Sequence, residues 1–296
     1  MFVIFGASGK VGRATATALR NAGRPVRAVV RHARQGEALV KLGCDIAIAD
    51  LTDPASVASA IKGATAVQIL CPVPVGDADP ALTMERMIDV AADALRANPP
   101  SAVLALSDYG AELDRGTGLT RLFHLLEQRL KPLATHLTLL RSAEHAQNWA
   151  AMLPVMLATG RLPSLQQPLD RAFATVATQD VGALAAELLL EAPSAKTPRI
   201  VSVEGPRRMS LTDVARTFSA VIGREIVAEA VPRTAWAPML QRAGLSANHV
   251  QLITELYDAV NAGQIDVEKG VSEQRFGKTE LHDVFASMLA AHVQSR

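Results

Sequence analysis

The chain has 296 residues, 49% of them hydrophobic and 20% charged, with 30 Lys and Arg against 29 Asp and Glu and a formal net charge of +1. That mixture excludes a disordered, collagen-like or coiled-coil chain, and a near-neutral protein has no global field to draw it to nucleic acid or to an anionic membrane. Cys44 and Cys71 are too few for a disulfide framework, and no apolar run is long enough to span a bilayer.

The N-terminal Met1-Phe2-Val3-Ile4-Phe5 has no basic leader or cleavage site, so it reads as a strand and a cytoplasmic location is expected. Arg13 to Ala22 reads as a helix closed by Gly23, and Val26 to Val30 as a second strand. Gly36 to Leu42 is helical and ends at Gly43; Ile46 to Ala49 is a third strand. Asp53 caps a helix that opens on Pro54. Ala66 to Leu70 is a fourth strand, Ala81 to Ala97 a long helix, and Ala102 to Leu106 a fifth strand after the Asn98-Pro99-Pro100 turn. Leu119 to Leu130 is an amphipathic helix and Leu137 to Leu140 another strand. The rhythm then loosens. Gly160 to Pro168 reads as a loop, Asp180 to Glu191 as a helix and Ile200 to Val203 as a strand. Ser210 to Ile222 is a helix with an acidic capping box, Ser210 with Asp213, stopped by Gly223; the remainder reads as mostly helical. The strands are nearly continuous apolar runs, as in a parallel sheet covered by helices on both faces. The fold class expected is therefore α/β, a doubly wound parallel sheet with a smaller, mostly helical C-terminal domain.

Gly6-Ala7-Ser8-Gly9-Lys10-Val11-Gly12 follows the first strand and opens the first helix. A dinucleotide-binding turn needs this context: Gly6 for the tight turn, Gly9 for backbone approach to a pyrophosphate, and Gly12 for close packing of helix on sheet. Free N–H groups at the helix N-terminus then face the anion. The second strand ends in Arg31, with Arg34 close behind, where an NAD-preferring site carries an acid. Guanidinium groups suit a 2′-phosphate, so NADP(H) is the expected cofactor and NAD(H) the alternative; a solvated basic loop is the bland reading. Asp50 and Leu51 follow the third strand, where they either meet the adenine or simply lead into the Pro54 helix. Cys71 and Pro72 follow the fourth strand, alongside the expected nicotinamide ribose, with Cys71 a packed residue rather than a reactive thiol.

The chain resembles the NmrA-like group of atypical short-chain dehydrogenases/reductases, which includes NAD(P)H:quinone oxidoreductases. The resemblance is carried by Gly6 to Gly12, by Gly43 to Leu70 with Asp50-Leu51 and Lys62-Gly63-Ala64, by Leu139-Leu140-Arg141 with Asn148, and by Asp180-Val181 and Val203-Glu204-Gly205-Pro206. It implies a Rossmann NAD(P)-binding domain, here residues 1–150 completed by about 172–203, and a smaller substrate-side domain of residues 151–171 and 204–296, with the cofactor between them. It implies hydride transfer to a small acceptor such as a quinone or carbonyl compound. The alternative is a non-catalytic redox sensor that contacts a regulatory protein; a homodimer is a further partner expectation. A nucleotide-sugar epimerase is disfavoured.

The usual Tyr and Lys pair four residues apart is missing, since Tyr109 has Leu113 at that spacing. Tyr109 remains a candidate proton donor or pocket residue. His124, three residues before Glu127, stands where the family often has Lys, so it is a candidate for the nicotinamide ribose or for proton exchange. His145 and Asn148 are the other expected substrate-side residues. Glu144 and His145 make this pocket more hydrophilic than the apolar or aromatic residues the family prefers. No metal is expected.

Overall fold

The computed structural model describes residues 1–133, 135–192 and 196–294. Residues 193–195, inside the expected 172–203 stretch, and residues 295–296 lie outside the described residues. Strand and helix alternate from the N-terminus as β1 (Phe2–Ile4), α1 (Lys10–Asn21), β2 (Val26–Val30), α2 (Glu37–Lys41), β3 (Asp45–Ile48), α3 (Pro54–Ile61), β4 (Ala66–Ile69), α4 (Pro80–Ala97), β5 (Ala102–Asp108), α5 (Thr120–Leu130) and β6 (His136–Ser142). Then follow β7 (Glu144–His145), α6 (Leu153–Thr159), β8 (Arg161–Ser164), β9 (Thr175–Val176), α7 (Thr178–Leu190), β10 (Arg199–Glu204), α8 (Leu211–Ile222), β11 (Val227–Ala230), α9 (Trp236–Arg242), α10 (Ala247–Asn261), β12 (Glu273–Phe276) and α11 (Leu281–Gln294). Among the described residues no helix is long and apolar enough to cross a membrane.

Eight parallel strands form one sheet in the order β3-β2-β1-β4-β5-β6-β10-β12. This is a Rossmann-like doubly wound arrangement, and its chain direction switches between β1 and β4. Such a switch opens a crevice at the carboxyl ends of the strands, because the loops leave it in opposite directions. One face of the sheet is covered by α3, α4 and α5 through Val57, Ile61, Met84, Ile88, Leu122 and Leu126. The other is covered by α1 and α7 through Val11, Leu19, Val181 and Ala185. A third core joins Trp149, Phe218 and Phe285, with the two phenylalanine rings stacked 3.6 Å apart.

The expected caps form. Asp53 accepts from the Ala55 N–H, and Ser210 and Asp213 satisfy each other's backbone donors. Two expectations are corrected. The stretch read as a loop from Gly160 to Pro168 contains β8, which pairs in parallel with β11. The C-terminal segment read as mostly helical contains β11 and β12, and β12 returns to the main sheet beside β10. All four β12 residues are exposed, so no hydrophobic alternation marks the strand in the sequence.

The approach of α1 to α7 is close enough to touch backbone. A Cβ at Gly182 would lie 2.6 Å from the Val11 carbonyl oxygen and 2.9 Å from the Thr15 nitrogen. Replacing Gly182 by Ala is therefore expected to cost about 1–3 kcal/mol through overpacking. Urea titration of both proteins checks this; an unchanged midpoint contradicts it.

Candidate functional site

The glycine loop is shaped as the sequence requires. Gly6 has φ +67°, and a Cβ there would press on the Leu70 side chain at 3.1 Å. A Cβ at Gly12 would overlap the Gly6 carbonyl oxygen, which fixes how closely α1 sits on the loop. Gly9 is exposed, extended at φ −78° and ψ 171°, and stands as N-cap of α1 with no side chain capping the helix. The first helical N–H groups therefore face outward past a residue without a side chain, which suits a pyrophosphate. Ala7 is buried beneath the loop, Ser8 is half-buried and Lys10 is exposed.

Arg31 and Arg34 are exposed just beyond β2, and among the described residues neither forms an ion pair or side-chain hydrogen bond. Both are free to meet a 2′-phosphate. Asp50 Oδ1 already accepts from the Thr52 backbone N–H at 2.8 Å and from its hydroxyl at 2.7 Å. Those bonds hold the carboxyl below its ordinary range, with Arg31 and Arg86 adding to the effect. Leu51 packs partly against the core. Cys71 is fully buried and its thiol is pushed up to about 12 by burial, so it is packed and unreactive; Pro72 beside it is exposed.

A cavity of about 470 Å³ opens at the carboxyl ends of β4, β5 and β6. Val11 of α1 forms part of its wall, as do Leu70, Leu106 to Tyr109, and Ser142 to His145. Ile253, Leu256, Tyr257 and Val260 on one face of α10 close it, with Arg171 to Ala174, Arg208 and Asp266 completing the rim. The structure thus brings Tyr109, His145 and Asn148 together at one cavity.

It does not bring His124 there. Leu119 and Phe123, four residues apart, line the cavity, while His124 sits one position further round the helix. Its Nδ1 lies 2.9 Å from the Ala111 carbonyl oxygen instead. Tyr109 is only 5% exposed and donates to Glu204 Oε2 at 3.3 Å. Glu204 is paired with Arg208, and Arg208 with Asp266. Burial first, and then the Glu204 charge, push the Tyr109 phenol well above its ordinary value. Its proton is held in this network.

Two acids nearest the strand ends line the cavity: Asp108, to which the sequence assigned no role, and Glu144, which it read only as making the pocket hydrophilic. Asp108 accepts from the Thr120 hydroxyl at 3.0 Å, yet burial pushes its carboxyl up to about 7. Glu144 is pushed up to about 7 by burial and then by the Asp108 charge, and among the described residues it makes no hydrogen bond or ion pair. Tyr257 is near enough for the Glu144 charge to be the largest cause raising its phenol. His145 Nε2 lies 3.2 Å from Ser142 Oγ, and burial with the nearby Lys10 charge pushes the imidazole down to about 4, so the ring is neutral at pH 7. The sequence read the α10 region only as part of a mostly helical remainder, and helical periodicity alone would mark a packed face and not a site.

Beneath this polar group lies Arg141, 2% exposed. Its guanidinium donates to both Glu127 oxygens at 2.8 and 2.7 Å, to Glu112 at 2.9 Å and to Glu268 at 2.6 Å. Ser107 adds a hydrogen bond to Glu127 at 2.7 Å.

A family model described as NAD(P)H-binding matches residues 6–192, and the chain belongs to that family. No curated protein sequence matches the chain. Among solved structures, the triphenylmethane reductase of Citrobacter sp. superposes with a TM-score of 0.80 at 17% identity, covering 98% of this chain and 99% of that one. The NADPH-dependent quinone oxidoreductase of Escherichia coli, solved with NADPH, gives 0.79 at 21% identity, covering 98% and 100%. The leucoanthocyanidin reductase of Vitis vinifera gives 0.73 at 14% identity, covering 98% and 99%. These likenesses are of fold, and it is the fold that the NmrA-like resemblance implied.

Replacing Arg141 by Leu leaves Glu127, which has 0% exposure, without its cation. The expected loss of stability is about 3–5 kcal/mol, the cost of an uncompensated buried charge. Guanidinium denaturation checks it; a loss below about 1 kcal/mol would mean the group is solvated or protonated instead.

Proposed function

We propose that this NAD(P)H-binding chain is an NADPH-dependent reductase whose small acceptor, a quinone or another carbonyl compound, is held in the cavity. The observation that carries this reading is the contact between the two halves of the site. Val11, within the glycine motif itself, is also part of the cavity wall, and the Lys10 charge reaches His145 on the other side. A dinucleotide with its pyrophosphate on α1 therefore has its far end at the cavity mouth. The names of two structural neighbours, a quinone oxidoreductase and a dye reductase, support the same class of reaction.

Each part of the chain has a separate task in this reading. The N–H groups at Gly9 and the start of α1 bind the pyrophosphate. Arg31 and Arg34 bind the 2′-phosphate by charge-assisted bonds. Leu70, Leu106, Phe123, Ile253 and Leu256 keep water from the acceptor and orient its ring or chain. When bound, the nicotinamide supplies the hydride. Steady-state NADPH oxidation across a panel of quinones and aldehydes tests the whole reading, with turnover of at least one acceptor expected. Tight NADPH binding without turnover of any of them would favour a cofactor-sensing role.

Arg31→Ala is expected to weaken NADPH by roughly 1–3 kcal/mol while leaving NADH nearly unchanged, because only NADPH carries the 2′-phosphate. Equal losses for both cofactors in calorimetric titration would remove Arg31 from that role. Gly9→Val is expected to keep a melting temperature near that of the parent, since Gly9 is exposed, and to abolish NADPH binding by filling the cradle. A folded variant that binds NADPH normally shows that the phosphates lie elsewhere.

A further inference from the structure

Hydride addition to an aldehyde or ketone leaves charge on oxygen and calls for an acid, whereas the customary Tyr and Lys pair is missing and the Tyr109 hydroxyl is bound to Glu204. Resting on the reductase reading above, we propose that Glu144 is the general acid of this cavity, handing its proton to the oxygen of a carbonyl acceptor. The step balances with the hydride of the reductase reaction. As the carbonyl carbon gains its C–H bond, the π pair moves to oxygen; the Glu144 O–H bond breaks and its proton goes to that oxygen. The products are an alcohol, the oxidised cofactor and a Glu144 carboxylate, which regains a proton from water.

The placement singles out Glu144. It lies in β7, one residue past the carboxyl end of β6, and it lines the cavity. The other groups around it are occupied or unsuited. Asp108, at the end of β5, has an oxygen taken by Thr120. His145 is pushed down to about 4, so near pH 7 it is the neutral imidazole and not the acidic imidazolium. Tyr257, facing from α10, is pushed further from ionisation by Glu144 itself. Arg171 donates to the carbonyls of Gln167, Val260 and Asn261, capping the end of α10, and Arg208 is paired with Glu204 and Asp266. No cation among the described residues is ion-paired with Glu144, so nothing holds its carboxyl in the charged form. With the carboxyl raised to about 7, the acid form is present below that pH and is lost as pH rises through it.

The test uses Glu144→Gln and Asp108→Asn in the full chain. Infrared titration without cofactor reads the carboxyl directly. The parent and Asp108→Asn should each show a protonated-carboxyl band that disappears near neutral pH or somewhat below, and Glu144→Gln should lack that contribution. With NADPH and an aldehyde, the parent rate should fall as pH rises through about 7. Glu144→Gln should lose about 100- to 10,000-fold at pH 6 and lose that pH dependence, while melting temperature and NADPH affinity stay close to those of the parent. The proposal is overturned if the Glu144 band titrates near an ordinary carboxylate value, or if the variant keeps the parent's rate and pH profile. It also falls if Asp108→Asn abolishes the profile while Glu144→Gln retains it, or if a parent that binds NADPH reduces quinones but no aldehyde or ketone. A parent that does not bind NADPH at all overturns the reductase reading itself, a failure that calorimetry separates from the others.

Discussion

One buried guanidinium organises the carboxyl end of the sheet. Arg141 sits in β6, and the carboxylates that neutralise it arrive from α5, from the segment after β5 and from the segment before β12. A buried charge is tolerated only when its partners are held in place, so this hub constrains four stretches of chain at once. Its effect reaches the cavity through sheet register. Ser107 pairs with Arg141, and Asp108 with Ser142, so the residues that hold Glu127 and those that face the cavity are neighbours on adjacent strands. The geometry of the polar end of the cavity is thus tied through the strand register to this ion-pair network.

Local rules made the first half of the chain readable. Gly9 and Gly12 answer to the Gly6 carbonyl a few residues away, Gly6 to its own positive φ, and Asp53 to a backbone donor two residues on; the Ser210 cap, later in the chain, follows the same local rule. The edge strand β12 was not readable, because its four residues are all exposed and its pairing with β10 is a matter of topology alone. His124 shows a finer limit. It lies on α5 as expected, and because a helix turns by about 100° per residue, one step separates the wall residue Phe123 from His124, whose Nδ1 meets the Ala111 carbonyl. Tyr257 lies 113 positions from Glu144 (257 minus 144), and no sequence spacing ties α10 to β7.

The division of charge around the cavity follows from these constraints. The two arginines at its rim are both saturated, Arg208 by carboxylates and Arg171 by the carbonyls at the end of α10, where a cation also meets the negative end of the helix. The two acids nearest the strand ends are not offset in this way. Asp108 has only a hydroxyl and a backbone N–H, and Glu144 has no partner among the described residues. Burial raises both carboxyls, and the Asp108 charge adds to the rise at Glu144, so both acids hold their protons to higher pH than an ordinary carboxyl does. The cavity therefore keeps its positive charges fixed in structure and its mobile proton on the acids. In the proposed reduction, a carbonyl oxygen that gains negative charge would meet one of these acids and not an unpaired arginine.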